Sequence, residues 1–100
     1  MVKGYWIGRV DIDDMECYRQ YLAQNGVVLS RYGAQFLVRS GPFENPEGTC
    51  RGRNVVIEFP SYQAALTCYW SQEYQRLVAL RSSAATGDLV IVEGYAGPQP

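Results

Sequence analysis

The chain has 100 residues, of which 47% are hydrophobic and 13% aromatic, and its formal net charge is −1. This length predicts one small domain, and the near-neutral charge excludes a general electrostatic attraction to nucleic acid or to an anionic membrane surface. The apolar share is larger than a thin monomeric core needs. It predicts a second buried surface, most simply a partner subunit.

The residue types argue against a metal or histidine-based site, a disulfide framework and a membrane segment. Histidine is absent, which removes the commonest metal ligand and the commonest general base. Cys17, Cys50 and Cys68 are odd in number and have no CxxC spacing, so we expect reduced thiols in a cytoplasmic protein. The N-terminus has no signal-peptide pattern, and no apolar run reaches membrane-spanning length. We expect no metal, no cofactor, no nucleic acid and no membrane.

The first half of the chain predicts a strand, a helix and a second strand. Tyr5 to Val10 alternates as a strand does, and Asp13 or Asp14 is a suitable N-cap for the helix that follows. Gly33 is placed to end that helix in a left-handed conformation. Ala34 to Ser40 is the second strand.

The second half repeats the strand, helix and strand signals in the same order. Val55 to Phe59 is an apolar, β-branched strand that ends at proline, after which Ser61 can cap a helix and Ser71 a second short one. A small-residue connection, Ala84 to Gly87, precedes the last strand, Asp88 to Tyr95. We expect a single domain over residues 1–96 and a flexible tail at 97–100.

The predicted order β-α-β-β-α-β is that of an α+β ferredoxin-like sandwich, an antiparallel-type four-stranded sheet with helices on one face. Right-handed crossovers are expected to place the first and third strands side by side and parallel. Both sheet faces carry apolar residues, and the face without helices is expected to include Trp6, Val56 and Val90. A homodimer joined sheet to sheet is the simplest way to cover it.

Five segments together resemble one bacterial family, the domain of unknown function 1330. The segments are Lys3–Ile7, Phe36–Gly41, Val56–Tyr62, Tyr69–Tyr74 and Val90–Tyr95. The resemblance covers essentially the whole chain. It implies the dimeric α+β barrel superfamily, whose members include small monooxygenases, isomerases and decarboxylating or dehalogenating enzymes, but no established reaction. Where this chain has Trp70, family members often have histidine or asparagine.

Charged residues inside apolar strands form the first candidate site. Arg39, Glu58 and Glu93 are costly there unless they are paired, so we expect them to meet each other, Arg9 or a ligand. As a catalytic pair, Arg39 would hold an anionic substrate and Glu58 would act as base. The alternative is a structural ion pair at the dimer face.

Aromatic residues on the helices form the second candidate site. The resemblance implies a substrate cavity between helices and sheet, and phenolic hydroxyls there would orient a developing oxyanion on a small carbonyl, enolic or aromatic molecule. The candidate ligand-binding residues are Tyr18, Tyr21, Tyr32, Tyr69 and Trp70. Ordinary amphipathic core is the alternative explanation for each. Two functions therefore remain open, a cofactor-independent enzyme of monooxygenase or isomerase type and a non-catalytic small-molecule-binding or stress-related accessory protein.

Overall fold

The computed structural model describes residues 2–100 and has seven elements. They are β1 (Gly4–Ile12), α1 (Met15–Ser30), β2 (Gln35–Arg39), β3 (Arg53–Phe59), α2 (Tyr62–Trp70), α3 (Gln72–Ala84) and β4 (Ala85–Glu93). The fold is the α+β ferredoxin-like βαββαβ fold with a four-stranded antiparallel sheet, as the element order predicted. The second crossover is divided into α2 and α3 at Ser71.

Local side chains set the helix ends. Asp14 caps α1 by accepting a hydrogen bond from the Cys17 N–H at 3.1 Å, and Ser61 caps α2 by accepting one from Ala64 at 3.0 Å. Ser71 both closes α2 and caps α3, where its hydroxyl accepts from the Tyr74 N–H at 3.2 Å. Gly33 has φ 73°, the left-handed conformation expected after the first helix.

The sheet order is β2-β3-β1-β4, and every neighbouring pair is antiparallel. The first and third strands are adjacent as expected, but the prediction that they are parallel was wrong. A crossover makes β1 parallel to β2, and the hairpin that follows reverses the chain before β3. The connection expected at Ala84 to Gly87 is also absent, because α3 ends at Ala84 and β4 begins at Ala85.

The core lies between the helices and one face of the sheet. Trp6, Phe59 and Tyr74 are almost fully buried there, with ring centroids 4.9 Å apart for Trp6–Phe59 and 4.8 Å for Trp6–Tyr74. The Trp6 indole N–H donates to the Ala65 carbonyl at 3.0 Å, which ties β1 to α2. Trp6 therefore lies on the helix-covered face, and its expected place on the opposite face was wrong.

The opposite sheet face, which we call the bare face, has no covering layer within the described chain. It includes Tyr5, Ile7, Val56, Glu58, Val90 and Val92, as the cross-strand register shows. Ile7, Val90 and Val92 are 39%, 52% and 40% exposed. No helix among residues 2–100 is long and apolar enough to cross a membrane.

Candidate functional site

A cavity of about 120 Å³ lies between the sheet and helices α1 and α3. Its floor is the covered face of β1, β3 and β4, and its walls are aromatic side chains with one guanidinium group. The lining includes Trp6, Gly8, Tyr18, Tyr21, Tyr74 and Arg81. The volume is below the roughly 300–1,000 Å³ of pockets for drug-sized ligands, so it suits a small metabolite.

Tyr21, Tyr74 and Arg81 form a hydrogen-bonded cluster in the cavity wall. The hydroxyls of Tyr21 and Tyr74 are hydrogen-bonded to each other. Arg81 Nη1 donates to the Tyr74 hydroxyl oxygen at 3.0 Å and reaches the Tyr21 hydroxyl oxygen at 3.4 Å. Tyr74 and Arg81 lie two helical turns apart on α3, so both point to the same side, and Tyr21 approaches from α1.

The surroundings fix the protonation states of this cluster. Burial raises the pKa of Tyr74 far above its usual range, and the neighbouring Tyr21 adds to the rise while the charge of Arg81 opposes it. Burial works to lower the pKa of Arg81, but its contacts with Tyr74 and Tyr21 outweigh this and raise it above the ordinary value. At neutral pH both effects give a protonated phenol beside a guanidinium cation.

The cluster has one hydroxyl proton left for a ligand. The hydrogen bond between the Tyr21 and Tyr74 hydroxyls uses one of their two protons. Arg81 donates its own N–H to the Tyr74 hydroxyl oxygen, so that contact uses neither hydroxyl proton. The remaining O–H can therefore donate into the cavity. A donor polarised by a nearby cation in a largely buried site is the arrangement that stabilises an oxyanion.

The lining offers no free carboxylate to act as a base. Asp88 is the acidic residue that contacts the cavity, but its side chain accepts a hydrogen bond from Arg51 Nε at 2.9 Å. Its strand partner is Arg9, which lies on the same sheet face as Tyr5 and Ile7, away from the cavity. Burial also raises the pKa of Tyr18, although the charge of Arg53 opposes the rise. The geometry therefore favours anion stabilisation over proton abstraction.

The structure divides the five predicted aromatic residues into two groups. Tyr18 and Tyr21 line the cavity, with ring centroids 5.5 Å apart. Tyr69 packs edge-on against Trp6 outside the lining, and Tyr32 is half-buried elsewhere in the core. Trp70 is 68% exposed and touches Tyr69 at the surface.

Arg39 and Glu58, the predicted catalytic pair, are not brought together. Arg39 pairs across the sheet with Val55, which lines the cavity, and its guanidinium carbon lies 4.1 Å from the centroid of the Phe36 ring. Glu58 is on the bare face, where it accepts a hydrogen bond from the Tyr5 hydroxyl at 3.0 Å. The two residues thus lie on opposite faces of the sheet, and no ion pair joins them in the part of the chain that the structure describes.

Tyr74 and Arg81 were missing from the residues predicted to form a site. The usable signal was their separation of seven residues, which places an arginine on the buried side of an apolar helix. A half-buried arginine with no acidic residue one turn away on its helix is an indication of a ligand or of a polar cluster.

The model of the "Domain of unknown function (DUF1330)" family matches residues 3–95 of the sequence. The chain belongs to the DUF1330 family. The resemblance seen in its motifs is thereby confirmed. The search of curated proteins found no match.

Solved structures with the same fold include both uncharacterised proteins and oxygenases. A protein of unknown function from Rhodopseudomonas palustris has a TM-score of 0.72 at 16% identity, covering 96% of this chain and 85% of that one. SnoaB, a cofactor-independent oxygenase from Streptomyces nogalater, has a TM-score of 0.68 at 8% identity, covering 100% and 97%. An antibiotic biosynthesis monooxygenase has a TM-score of 0.52 at 19% identity, covering 98% and 100%. These TM-scores establish a shared fold for the DUF1330 chain, and at such low identities they establish no shared reaction.

Proposed function

We propose that this DUF1330 protein is a cofactor-independent enzyme that binds a small enolic or phenolic metabolite in the helix–sheet cavity and stabilises its oxyanion. The observation that carries the proposal is the hydroxyl pair of Tyr21 and Tyr74, anchored by Arg81 in the cavity wall. One O–H donor and one cation face the same small space. Loss of a single donor of this kind typically lowers kcat by roughly 100- to 1,000-fold.

The missing base favours oxygenation over isomerisation. An isomerase must return a proton to a different carbon and needs a group that gains and loses it near neutral pH. The cavity offers phenols whose pKa is raised by burial and an aspartate held by Arg51. A substrate acidic enough to lose its proton to water needs no such group, and its enolate can reduce O₂.

In the oxygenation that we propose, the substrate supplies all the electrons. A CH₂ group next to carbonyl or aryl groups ionises, its proton goes to solvent, and the carbanion–enolate reacts with O₂. The CH₂ becomes C=O, one oxygen atom of O₂ enters the product, and the other leaves as water. This four-electron oxidation is balanced by the full reduction of O₂, so no external reductant is needed. The fold shared with SnoaB, described as a cofactor-independent oxygenase, supports the proposal.

Indane-1,3-dione is a suitable probe because it is small, its CH₂ is acidic and its enolate is coloured. We expect O₂ consumption in its presence and formation of the corresponding trione. Tyr74→Phe and Arg81→Met should lower kcat by about 100-fold. Tyr62→Phe and Arg76→Met are matched controls, because both side chains are exposed and lie outside the cavity lining.

A non-catalytic binding protein is the second candidate, and the engaged Asp88 carboxylate is the observation that favours it. Under this alternative the probe binds and its enolate absorption shifts, but neither O₂ nor probe is consumed. Failure of the probe to bind at millimolar concentration, together with no response to the Tyr74 and Arg81 variants, would contradict both candidates.

We further propose that two copies associate through the bare face. The support is its exposed row of Ile7, Val90 and Val92, and the fold family typically dimerises through the sheet. A cytoplasmic location is likewise proposed, because Cys17, Cys50 and Cys68 all carry free thiols.

A further inference from the structure

Arg53, at the start of β3, has no role in the cluster described above. The β1–β3 register places Arg53 opposite Val10, and Val10 lines the cavity. Arg53 therefore lies on the covered face of the sheet, next to the cavity. Its guanidinium carbon is 5.7 Å from the centroid of the Tyr18 ring, which also belongs to the lining.

One hydrogen-bond donor of Arg53 is not satisfied. Its Nε atom is buried and has no hydrogen-bond partner within residues 2–100. The ion pairs of the described chain use Arg31 and Arg51, and none of them involves Arg53. A buried guanidinium N–H without an acceptor is costly. A carboxylate is the acceptor whose two oxygens match the planar N–H donors of a guanidinium group.

Arg53 and Arg81 each lie beside one of two neighbouring aromatic rings. Arg53 is over Tyr18, Arg81 is 5.5 Å from the centroid of Tyr21, and the two rings are 5.5 Å apart. A ligand beside these rings meets a cation near each ring. Arg81 is beside an O–H donor suited to an oxyanion, whereas Arg53 has an unpaired N–H donor.

We propose that Arg53 is a specificity residue that binds a carboxylate, so that the ligand of this cavity is an enolic or phenolic carboxylic acid. The inference rests on the proposed function, because it assumes that the other end of the ligand is held by Arg81 and the hydroxyl pair. The carboxylate accepts a hydrogen bond from the unpaired N–H of Arg53, and the planar part of the ligand lies along Tyr18 and Tyr21.

Three chromophoric probes separate the two ends of the site. 4-Nitrophenol has the phenol alone, 5-hydroxy-2-nitrobenzoate adds a carboxylate, and its methyl ester has the same shape without the charge. We expect the wild-type protein to bind the carboxylate at least about tenfold more tightly than the ester, the usual contribution of a charge-assisted hydrogen bond. Binding is measured calorimetrically, and phenolate absorption reports the Arg81 end.

Two arginine variants assign the preference to one residue. Arg53→Met should abolish the carboxylate preference and leave the affinity for 4-nitrophenol unchanged, while Arg53→Lys should keep part of the preference. Arg19→Met, which removes an exposed arginine next to Tyr18 in the chain, should retain all of it. Circular dichroism confirms that each variant is folded.

The remaining outcomes are distinguishable. If 4-nitrophenol binds in an Arg81-dependent way but the carboxylate gives no gain, or Arg53→Met keeps that gain, Arg53 only stacks on Tyr18 and the inference is wrong while the proposed function stands. If none of the three probes binds at millimolar concentration, both proposals are wrong.

Discussion

The two faces of the sheet contain similar residues in different surroundings. On the covered face, Trp6 and Phe59 are 2% and 0% exposed, whereas Ile7 and Val90 on the bare face are 39% and 52% exposed. The polar groups differ as well. The cavity has Arg81 with phenols, and the bare face has Glu58 with the hydroxyl of Tyr5. Similar hydrophobicity thus serves folding on one side and is available for association on the other.

The largest difference between the faces should appear in folding stability. Phe59→Ala removes a fully buried ring that contacts Trp6, and we expect the free energy of unfolding to fall by about 3–5 kcal/mol. Val90→Ala should cost about 1 kcal/mol or less when unfolding is followed at a concentration that keeps the chain monomeric. Urea denaturation measures both. Equal losses would mean that the bare face already contributes to the monomer core.

Association should respond to changes on the bare face alone. Val90→Lys puts a charge at the centre of the proposed interface, and we expect the dimer dissociation constant to rise by about 100-fold or more. Val27→Lys is the matched control, since Val27 is 59% exposed on α1 and lies away from the sheet. Sedimentation analysis gives the constants. A wild-type protein that stays monomeric at high micromolar concentration would refute the dimer.

Within the covered face, neighbouring elements approach β1 to different distances along its length. A Cβ on Gly4 would lie 2.5 Å from the Ser61 carbonyl oxygen, so Gly4→Ala forces the α2 entry away from β1 and should cost about 1–3 kcal/mol. A Cβ on Gly8 meets Leu89 Cδ1 at an ordinary 3.6 Å. Gly8→Ala should leave the thermal midpoint nearly unchanged. Because Gly8 lines the cavity, the same change should weaken indane-1,3-dione binding, which fluorescence titration would detect.

Local signals explain which parts of the fold were predictable. Asp14, Ser61 and Ser71 cap their helices through residues three positions away, and a pattern of that range can be read directly from the sequence. The sheet face of Trp6 could not be assigned from the sequence. Alternate residues of a strand point to opposite faces, and here the residues of both faces are apolar, so the pattern does not show which face is covered.

The candidate site was less predictable because it depends on long-range contacts. Tyr21 and Tyr74 are 53 residues apart and meet only through the packing of α1 against α3. Tyr18 and Tyr21 were identified from helical spacing, but that spacing alone does not separate cavity lining from core. Arg39 and Glu58 were paired by charge, and only the register, with a bulge in β2 between Phe36 and Val38, determines that they lie on opposite faces.

Titration provides the smallest and last contrast between the two faces. Burial raises the pKa of the Cys68 thiol from the ordinary 9.0 to about 12. The Cys68 thiol therefore ionises at lower pH in the unfolded chain than in the folded one. Its contribution to stability is complete below about pH 9 and is lost as the pH rises toward 12. Over that range the folding equilibrium constant falls by at most about tenfold per pH unit. Cys68→Ala should flatten the fall in stability over this range, and Cys50→Ala, in an exposed segment, should not.

On the bare face the pKa of Tyr5 is also raised, but for a different reason. The hydrogen bond to Glu58 is the main reason that the pKa of Tyr5 is raised, with burial and the charge of that carboxylate adding to it. Glu58→Gln should therefore bring the spectroscopic titration of Tyr5 back toward its ordinary range. No single substitution of a charged neighbour should do this for Cys68, because its shift comes from burial. If Cys68 instead titrates near pH 9 in the folded protein, water reaches the layer between helices and sheet, and the covered face is not the dry side that its packing indicates.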